Sequence, residues 1–399
     1  MIRARAFARP LGSLPLALVV AVLIARSCAG QSPEGEVTSA ATARVDGPPK
    51  TVFDWSSQAC SPDELPDAPV RAFRNYRDRI QLVLPFFENW RLTGPNLNHV
   101  HVTCRPIMAS SLDPDPADFN DREWIASPFT RDGRDVVALV HNEYHGTLPG
   151  TCVPNRAPSC WYNAITFARS SDGGRSFHQP AAPRQLVAAS PYRYRPGRKP
   201  TGIFSASNIV QNDADGLYYA MVVSRTPNGD GRTCLMRTAD PFKPRSWRAW
   251  DGSGFGLRFG DPYREPPAAK ACTPVSRSEI GVMHESLTFN TYLDRFILVG
   301  MAEAAGSGRP VSGVYFSLSD DLVHWSARKV LMKATPVQRL RCGGPKPIAY
   351  PSLLDPESRS RTFSTTGRRP YLYFTVFNYA GCKLGLDRDL VRVPVELAR

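Results

Sequence analysis

Long hydrophobic segments are scarce in this 399-residue sequence. The apolar run Leu14–Ile24 spans only 11 residues, and no later stretch approaches the ~20 that a membrane-spanning helix needs. The sequence also has no Walker loop, no GxGxxG motif after a strand and no GxSxG motif. These absences argue against a stable membrane span, nucleotide binding and an α/β-hydrolase fold.

The N-terminus has the order of a secretory signal peptide: arginines, a short apolar run, then small residues. We therefore predict a signal peptide over residues 1–30, a flexible polar lead-in over 31–50 and one domain over 51–399. The protein is then secreted or otherwise extracytoplasmic, in the periplasm or outside the cell. Lipid anchoring at Cys28 is disfavoured because Arg26 fits a lipobox poorly.

Eight cysteines follow the predicted signal peptide, and an even number in an exported chain favours disulfides. Eight cysteines allow 105 pairings. Pairing of neighbours along the chain is our preferred prediction: Cys60–Cys104, Cys152–Cys160, Cys234–Cys272 and Cys342–Cys382. No CxxC spacing occurs and the histidines lie elsewhere, which argues against zinc.

The charge is strongly positive, at +13 for the whole sequence. Removing the four arginines of the predicted signal peptide leaves +9. Such a charge suits either an ordinary soluble basic protein or one that attracts an acidic polymer, such as a glycan bearing uronate or phosphate. Nucleic acid is not predicted as a partner, because the basic residues are scattered and no nucleic-acid-binding motif is present.

Short β-type runs between turn signals recur through the chain, and no window of 12 residues has a helical period. An apolar hairpin recurs in five copies, which begin near Asp67, Ser127, Ser207, Glu285 and Pro351. We predict an all-β fold, a five-bladed β-propeller. A six-bladed propeller, in which Thr51–Pro66 joins the strand Leu390–Leu397, is one alternative, and a β-sandwich is another.

The outer half of the repeat also recurs, over Asn163–Phe177, Thr233–Trp247 and Gly313–Trp325. Each copy is a strand, then a turn with an aspartate, then an aromatic residue. Asp172, Asp240 and Asp320 are expected to accept hydrogen bonds from turn amides, and Phe177, Trp247 and Trp325 to plug the edge.

Two of these segments resemble known propeller motifs. SSDGGRSF resembles the Asp-box of sialidase-like propellers, and SDDLVHW resembles the S-x-D-L-x-x-W turn of five-bladed glycoside hydrolases of families 43 and 32. By position, the family 43 resemblance implies Asp67 as base and Glu285 as acid. Asn208 stands where that family has a third acidic residue, and the family 32 motifs W-M-N-D-P and R-D-P are absent.

Strands alternate in direction within a blade, so strand starts and second-strand ends would meet at one funnel. His141–His145, which ends the apolar strand VVALV, is the densest polar cluster there. Alternation places His141, Glu143 and His145 on one side of that strand. This cluster could bind sugar hydroxyls, hold a divalent cation or be an ordinary polar strand end. Glu143 is thus an alternative catalytic carboxylate.

Four further residues complete the predicted substrate-binding set. Tyr144 offers an aromatic face for a sugar ring, Arg225 a guanidinium for a uronate or phosphate, and Asn208 and Asn378 offer amides.

Together these features predict a secreted glycoside hydrolase that cleaves a polysaccharide or oligosaccharide, acidic glycans included, with paired carboxylates. We expect a monomer without a cofactor, a structural divalent cation in the funnel being the alternative. The competing hypothesis is a non-catalytic extracellular propeller that binds glycans or proteins.

Overall fold

Strands make up most of the regular structure. The computed structural model describes residues 40–146, 152, 160–304 and 310–399, so the predicted signal peptide and Cys28 lie outside the described residues. The strands in chain order are β1 (Thr42–Val45), β2 (Lys50–Phe53), β3 (Arg71–Arg74), β4 (Ile80–Leu84), β5 (Glu88–Asn96), β6 (His99–Val102), β7 (Met108–Ala109), β8 (Arg122–Thr130), β9 (Val136–His145), β10 (Trp161–Ser170), β11 (Leu186–Ala188), β12 (Thr201–Ala206), β13 (Val210–Gln211), β14 (Tyr218–Arg225), β15 (Gly231–Thr238), β16 (Arg248–Ala249), β17 (Leu257–Arg258), β18 (Ser286–Asn290), β19 (Arg295–Ala304), β20 (Val311–Ser319), β21 (Lys329–Lys333), β22 (Ile348–Leu354), β23 (Thr365–Thr366), β24 (Tyr371–Ala380) and β25 (Lys383–Ala398).

Helices are short. They are α1 (Trp55–Gln58), α2 (Arg277–Ile280) and two 3₁₀ turns, Pro244–Ser246 and Val337–Arg339. None of the helices in the described part of the chain is long and apolar enough to cross a membrane. The prediction of an all-β protein is confirmed.

The strands form four hydrogen-bonded sheets. The first holds β3 to β6 with β7 at its side, the third holds β18 to β21 with β23, and the fourth holds β22, β24, β25, β1 and β2. The second has ten strands and consists of two antiparallel halves, β8 to β11 and β12 to β17. A short parallel pairing between β10 and β12 joins these halves. Each of the five predicted hairpins therefore lies in its own sheet or half-sheet.

The sheets pack face to face in chain order, and the last packs on the first. Strand β3 contacts β8, β12 contacts β9, β13 contacts β18, β18 contacts β22, and β22 contacts β3. The apolar clusters lie between these neighbours. For example, Phe73 and Val83 of the first sheet pack with Ile125, Val136 and Val140 of the second. Burial between successive sheets is thus the main source of hydrophobic stabilisation.

The N-terminal strands correct one predicted boundary. We expected residues 31–50 to be a flexible lead-in, but Thr42–Val45 pairs antiparallel with Val395–Ala398, and Lys50 begins β2. Val45 packs against the apolar cluster of the fourth sheet. These strands are recruited because β25 offers an unpaired edge, which another strand can satisfy.

All four predicted disulfides are present: Cys60–Cys104, Cys152–Cys160, Cys234–Cys272 and Cys342–Cys382. Three of them close loops of about 40 residues, with sequence separations of 44, 38 and 40. Because successive strands are neighbours in space, cysteines that are neighbours in sequence meet.

The outer turns follow the prediction with one exception. Asp172 accepts hydrogen bonds from the amides of Arg175 (2.9 Å) and Ser176 (3.1 Å), and Asp240 accepts one from Phe242 (3.2 Å). In the third copy the prediction of Asp320 was wrong. Asp321 accepts the turn amides there, while Asp320 pairs with Arg295 (2.5 Å) on the surface. Phe177, Trp247 and Trp325 are all buried.

The junction between β10 and β12 depends on Gly202. Its φ is +118°, and a Cβ built there would clash with the carbonyl oxygen of Asn163. We expect Gly202→Ala to reduce the free energy of unfolding by roughly 3 kcal/mol, because the added methyl group must separate the two strands. Chemical denaturation measures this loss.

Gly216→Ala is the matched control. Gly216 also has positive φ (+71°), but nothing lies within 4 Å of its built Cβ. Its expected loss is about 1 kcal/mol, from backbone strain alone. Equal losses in the two variants would contradict the close approach at Gly202.

Candidate functional site

The candidate site is built around Glu143 at the end of β9. Its carboxylate lies between two imidazoles, with Oε1 2.9 Å from Nε2 of His141 and Oε2 2.8 Å from Nε2 of His145. The strand alternates as predicted, so all three side chains lie on one face. Nδ1 of His141 accepts the amide N–H of Ser205 (3.1 Å), so Nε2 carries the proton and donates it to Glu143.

Aromatic rings fix both imidazoles. His145 stacks on Trp161, with ring centroids 4.8 Å apart and an angle of 9° between the planes. His141 stacks on Phe204 at 6.0 Å and contacts Trp124 at 5.8 Å. This packing holds the hydrogen-bond donors on Glu143 in one orientation.

The electrostatics of Glu143 favour the carboxylate. Burial would raise its pKa, but the hydrogen bonds that His141 and His145 donate, together with the electrostatic effect of the two rings, outweigh burial and lower the pKa to about 2. Glu143 is therefore negatively charged at any ordinary pH.

Asp67 is the second carboxyl group of the site. Its Oδ1 accepts a hydrogen bond from the hydroxyl of Tyr350 (3.0 Å) and forms an ion pair with Arg388. Burial raises the pKa of Asp67, and the negative charge of Glu143 raises it further, against the opposing effects of Arg388 and Tyr350. The two carboxyl groups are thus close enough to interact, and their pKa values shift in opposite directions.

Tyr350 reaches Asp67 through an unusual backbone conformation. Its φ is +60°, in the left-handed region that non-glycine residues rarely adopt, and it lies in an irregular stretch of β22. Burial and the charge of Asp67 raise the pKa of its phenol well above the ordinary value. Tyr350 therefore stays a hydrogen-bond donor to Asp67.

Glu285, at the start of β18, is held by backbone amides. Oε2 accepts the N–H of His284 (2.9 Å) and Oε1 accepts that of Met301 (3.0 Å). A Cβ at Gly300 would clash with Oε2, so this glycine leaves room for the carboxylate. The fully buried guanidinium of Arg71 donates to the Glu285 carbonyl and to the hydroxyl of Ser352. Burial lowers the pKa of Arg71 to about 9, opposed by the charge of Glu285.

Arg225, at the end of β14, has no acidic partner among the described residues. Its guanidinium lies 4.9 Å from the centre of the Phe204 ring, on which His141 also stacks. The buried Nε atom makes no hydrogen bond within the described chain, and burial lowers the pKa of the group. Burial lowers the pKa of His284 against the opposing charge of Glu285, and the charges of Arg225 and Arg71 lower it further.

The side chains of the other predicted substrate-binding residues already have partners within the protein. Tyr144 is buried on the opposite face of β9, against Tyr194. Asn208 is 4% exposed, and its side-chain oxygen accepts the amide of Leu287 (3.3 Å). Asn378 donates to Asp387 (2.7 Å) and Asp389 (2.8 Å), and accepts from Lys346. Their predicted contacts with substrate stay predictions.

Sequence reasoning missed Arg71, Tyr350, Arg388 and Phe204 as members of the site. Arg71 and Tyr350 adjoin innermost strands that the repeat had already identified. Both residues lie close in sequence to Asp67 or Ser352, and this proximity could have identified them. A prediction that considers only the first residue of each strand misses them.

Among the described residues, no group of three or more His, Cys, Asp or Glu side chains has the arrangement of a metal site. The ligand types around Glu143 would suit a divalent cation, but both carboxylate oxygens face imidazole nitrogens instead.

No family model and no curated protein matches this sequence. Among solved structures, the chain is similar to sucrose-6-phosphate hydrolase from Lactobacillus gasseri, with 10% identity and a TM-score of 0.48, over 82% of this chain and 58% of that one. It is also similar to RS223 β-xylosidase (10%, TM-score 0.46, 86% and 94%) and to a thermostable family-43 glycoside hydrolase (9%, TM-score 0.44, 84% and 95%).

The low pKa of Glu143 predicts a pH-dependent contribution to stability. A folded pKa of about 2 against an unfolded value near 4.5 stabilises the fold by roughly 3 kcal/mol at neutral pH. Because the folded pKa is the lower one, this term is present above pH 4.5 and is lost as pH falls toward 2.

We therefore expect wild type to lose about 2 kcal/mol more than Glu143→Gln between pH 7 and pH 3, as measured by urea denaturation. Glu357→Gln serves as the control, because Glu357 is exposed and has no ion pair among the described residues. Parallel stability curves for wild type and Glu143→Gln would contradict the ionised His–Glu–His arrangement.

Proposed function

We propose that the chain is a five-bladed β-propeller that cleaves glycosidic bonds, with Asp67 and Glu143 as the reacting carboxyl pair. Each antiparallel sheet or half-sheet is one blade in this proposal. The contacts between successive sheets, and between the last and the first, support a closed ring of five. The N-terminal strands complete the fifth blade, which leaves no separate partner for a sixth within the described residues.

The single observation that carries the function is the contrast between the partners of two carboxyl groups. Glu143 lies between the imidazoles of His141 and His145, whereas Oδ1 of Asp67 contacts Tyr350 and Arg388. The pKa shifts of the two groups agree with this contrast. The pKa of Asp67 is raised, whereas that of Glu143 is lowered to about 2. Glycoside hydrolysis requires one protonated and one ionised carboxyl group flanking the scissile bond. We assign Asp67 as the proton donor through Oδ2, because Tyr350 and Arg388 both donate to Oδ1. This assignment reverses the role implied by the resemblance of Asp67 to the family 43 base.

In the proposed reaction, Asp67 transfers its proton to the glycosidic oxygen as the bond to the anomeric carbon breaks. The carboxylate of Glu143 stabilises the positive charge that develops on the sugar ring. Water supplies the hydroxyl group that replaces the departing sugar, and its remaining proton restores Asp67. Tyr350 and Arg388 orient Asp67, while His141 and His145 orient Glu143.

Glu285 stays a predicted catalytic residue with a distinct environment. Two backbone amides hold its oxygens as acceptors, which suits a fixed carboxylate better than a proton donor. In the proposal it therefore acts as a fixed hydrogen-bond acceptor for the substrate.

The second candidate is a non-catalytic propeller that binds glycans. The buried position of Asn208, where the resembling family has an acidic residue, favours it. Four disulfides are typical of an oxidising compartment, so either function belongs outside the cytoplasm in our proposal.

Reducing-end release tests the proposed catalysis. Purified protein is incubated with neutral polysaccharides (arabinan, xylan, fructan) and acidic ones (polygalacturonate, glucuronoxylan, alginate). We expect cleavage of at least one of these, and a loss of about 100-fold or more in kcat for Asp67→Asn and for Glu143→Gln. Glu285→Gln should reduce the rate less than either.

Asp320→Asn and Glu357→Gln are matched controls, since both residues are exposed and lie away from the proposed site. Their rates should equal that of wild type. Binding without any release of reducing ends would support the non-catalytic alternative, and full activity of Glu143→Gln would overturn the assignment of the pair.

The pH profile follows from the same two groups. Activity requires protonated Asp67 and ionised Glu143, so kcat/KM should fall as pH rises through the raised pKa of Asp67. It should also fall as pH drops toward about 2, where Glu143 is protonated. We expect a bell-shaped profile, with an alkaline limb that moves when Tyr350→Phe removes the hydrogen bond to Asp67. A plateau that extends unchanged to alkaline pH would contradict Asp67 as the acid.

A further inference from the structure

A large cleft opens beside the His–Glu–His group. It has a volume of about 890 Å³, near the upper end of the range of ligand-binding pockets. Trp161 lines it, and the indole of this residue stacks on His145, which contacts Glu143. The cleft therefore begins one side chain away from the proposed reacting pair.

The walls of the cleft combine aromatic rings with positive charge. Its aromatic residues are Trp161, Tyr162, Tyr192 and Tyr194. Its five cationic side chains are those of Arg193, Arg195, Arg198, Lys199 and Arg232. Flat aromatic faces pack against the apolar faces of sugar rings, while cations attract acidic groups on the same chain.

Most of this positive charge is not neutralised within the described chain. Asp230 is the one carboxylate among the described residues that line the cleft, and it pairs with Arg232 (2.7 Å) and with Arg277 (2.6 Å). Arg195, Arg198 and Lys199 are exposed and have no ion pair among the described residues. An anionic ligand would supply the missing negative charge.

Arg225 adds a further positive charge without an acidic partner, between the cleft and the proposed reacting pair. It is the last residue of β14, directly before Thr226, which lines the cleft. Its guanidinium packs on Phe204 beside His141. A partly buried guanidinium without an acidic partner is costly unless a ligand provides one. A carboxylate on the sugar can accept two parallel hydrogen bonds from this planar group.

We propose that the substrate is an acidic glycan that bears uronic-acid carboxylates, with one sugar carboxylate on Arg225 and the chain continuing over Trp161 along Arg195, Arg198 and Lys199. This inference rests on the proposed function, because it defines the substrate class of that site. Single-stranded nucleic acid is the other polyanion that a cationic, aromatic cleft could hold, and the test below includes it as a competing outcome.

Binding is measured by calorimetry with the Glu143→Gln full chain, so that no turnover occurs. The ligands are a galacturonic-acid hexamer and its methyl ester, which share one backbone and differ only in carboxylate charge. We expect the acid to bind at least about tenfold more tightly, with an affinity that falls as salt increases.

Two sets of variants locate the effect. Arg225→Gln, and the triple variant Arg195→Gln, Arg198→Gln, Lys199→Gln, should each lose about tenfold in affinity for the acid while binding of the ester stays unchanged. The control triple variant Arg105→Gln, Lys333→Gln, Arg341→Gln removes the same charge from exposed residues outside the cleft and should bind as the parent does.

Equal affinity for acid and ester, or equal loss in both triple variants, would overturn the inference. Tighter binding of single-stranded DNA than of the hexamer would also overturn it. Cleavage by wild type reports separately on the proposed function. Cleavage of neutral glycans with no preference for acidic ones would support the hydrolase and reject the acidic substrate. Selective binding of the acid without cleavage would support the acidic ligand and reject the hydrolase.

Discussion

The fold depends on hydrogen bonds between side chains of one innermost strand and the backbone of the next. The first strands of neighbouring sheets or half-sheets do not pair with each other, so their backbone groups cannot form a continuous ladder of hydrogen bonds. The hydroxyl of Ser127 accepts the amide of Ile209 (3.0 Å), and that of Ser286 accepts the amide of Leu353 (3.0 Å). Ser352 donates to the carbonyl of Val70 (2.8 Å), and these serines are fully buried. Each bond satisfies a backbone group that would otherwise be buried without a partner.

The same bonds place the candidate site. Ser352 also accepts from Arg71, which donates to the carbonyl of Glu285, so a structural contact and a site residue share one hydroxyl group. Asp67 and Glu143 are far apart in sequence, yet the charge of one affects the pKa of the other. In the proposed function, rigid scaffolding of this kind allows two carboxyl groups to keep different protonation states.

The sequence predicted the strands and the disulfides well, because both follow local pattern and chain order. Five apolar hairpins with polar ends are visible in the sequence, and neighbouring cysteines meet in such a meander. It also predicted that His141, Glu143 and His145 share a face, since alternation along a strand is a strict geometric rule.

Other features needed three-dimensional information. A serine or asparagine at a strand start can bond either a ligand or the neighbouring backbone, and sequence does not distinguish the two. Asn208 makes the second kind of bond. Tyr350 contacts Asp67 only because its own backbone is left-handed, which the sequence does not show. Which of Asp320 and Asp321 accepts the turn amides depends on the register of the turn. The strand Thr42–Val45 falls in the predicted lead-in, because its short sequence does not show that it pairs with β25.

That terminal pairing has a consequence for how the protein is made. Residues 42–45 are synthesised early, but the strand that holds them comes from residues 395–398, more than three hundred residues later. During synthesis the early segment therefore has no native partner and exposes an unpaired backbone edge. The last sheet can be completed only after translation has reached the final strand, which makes the assembly of this molecule a late, all-chain event.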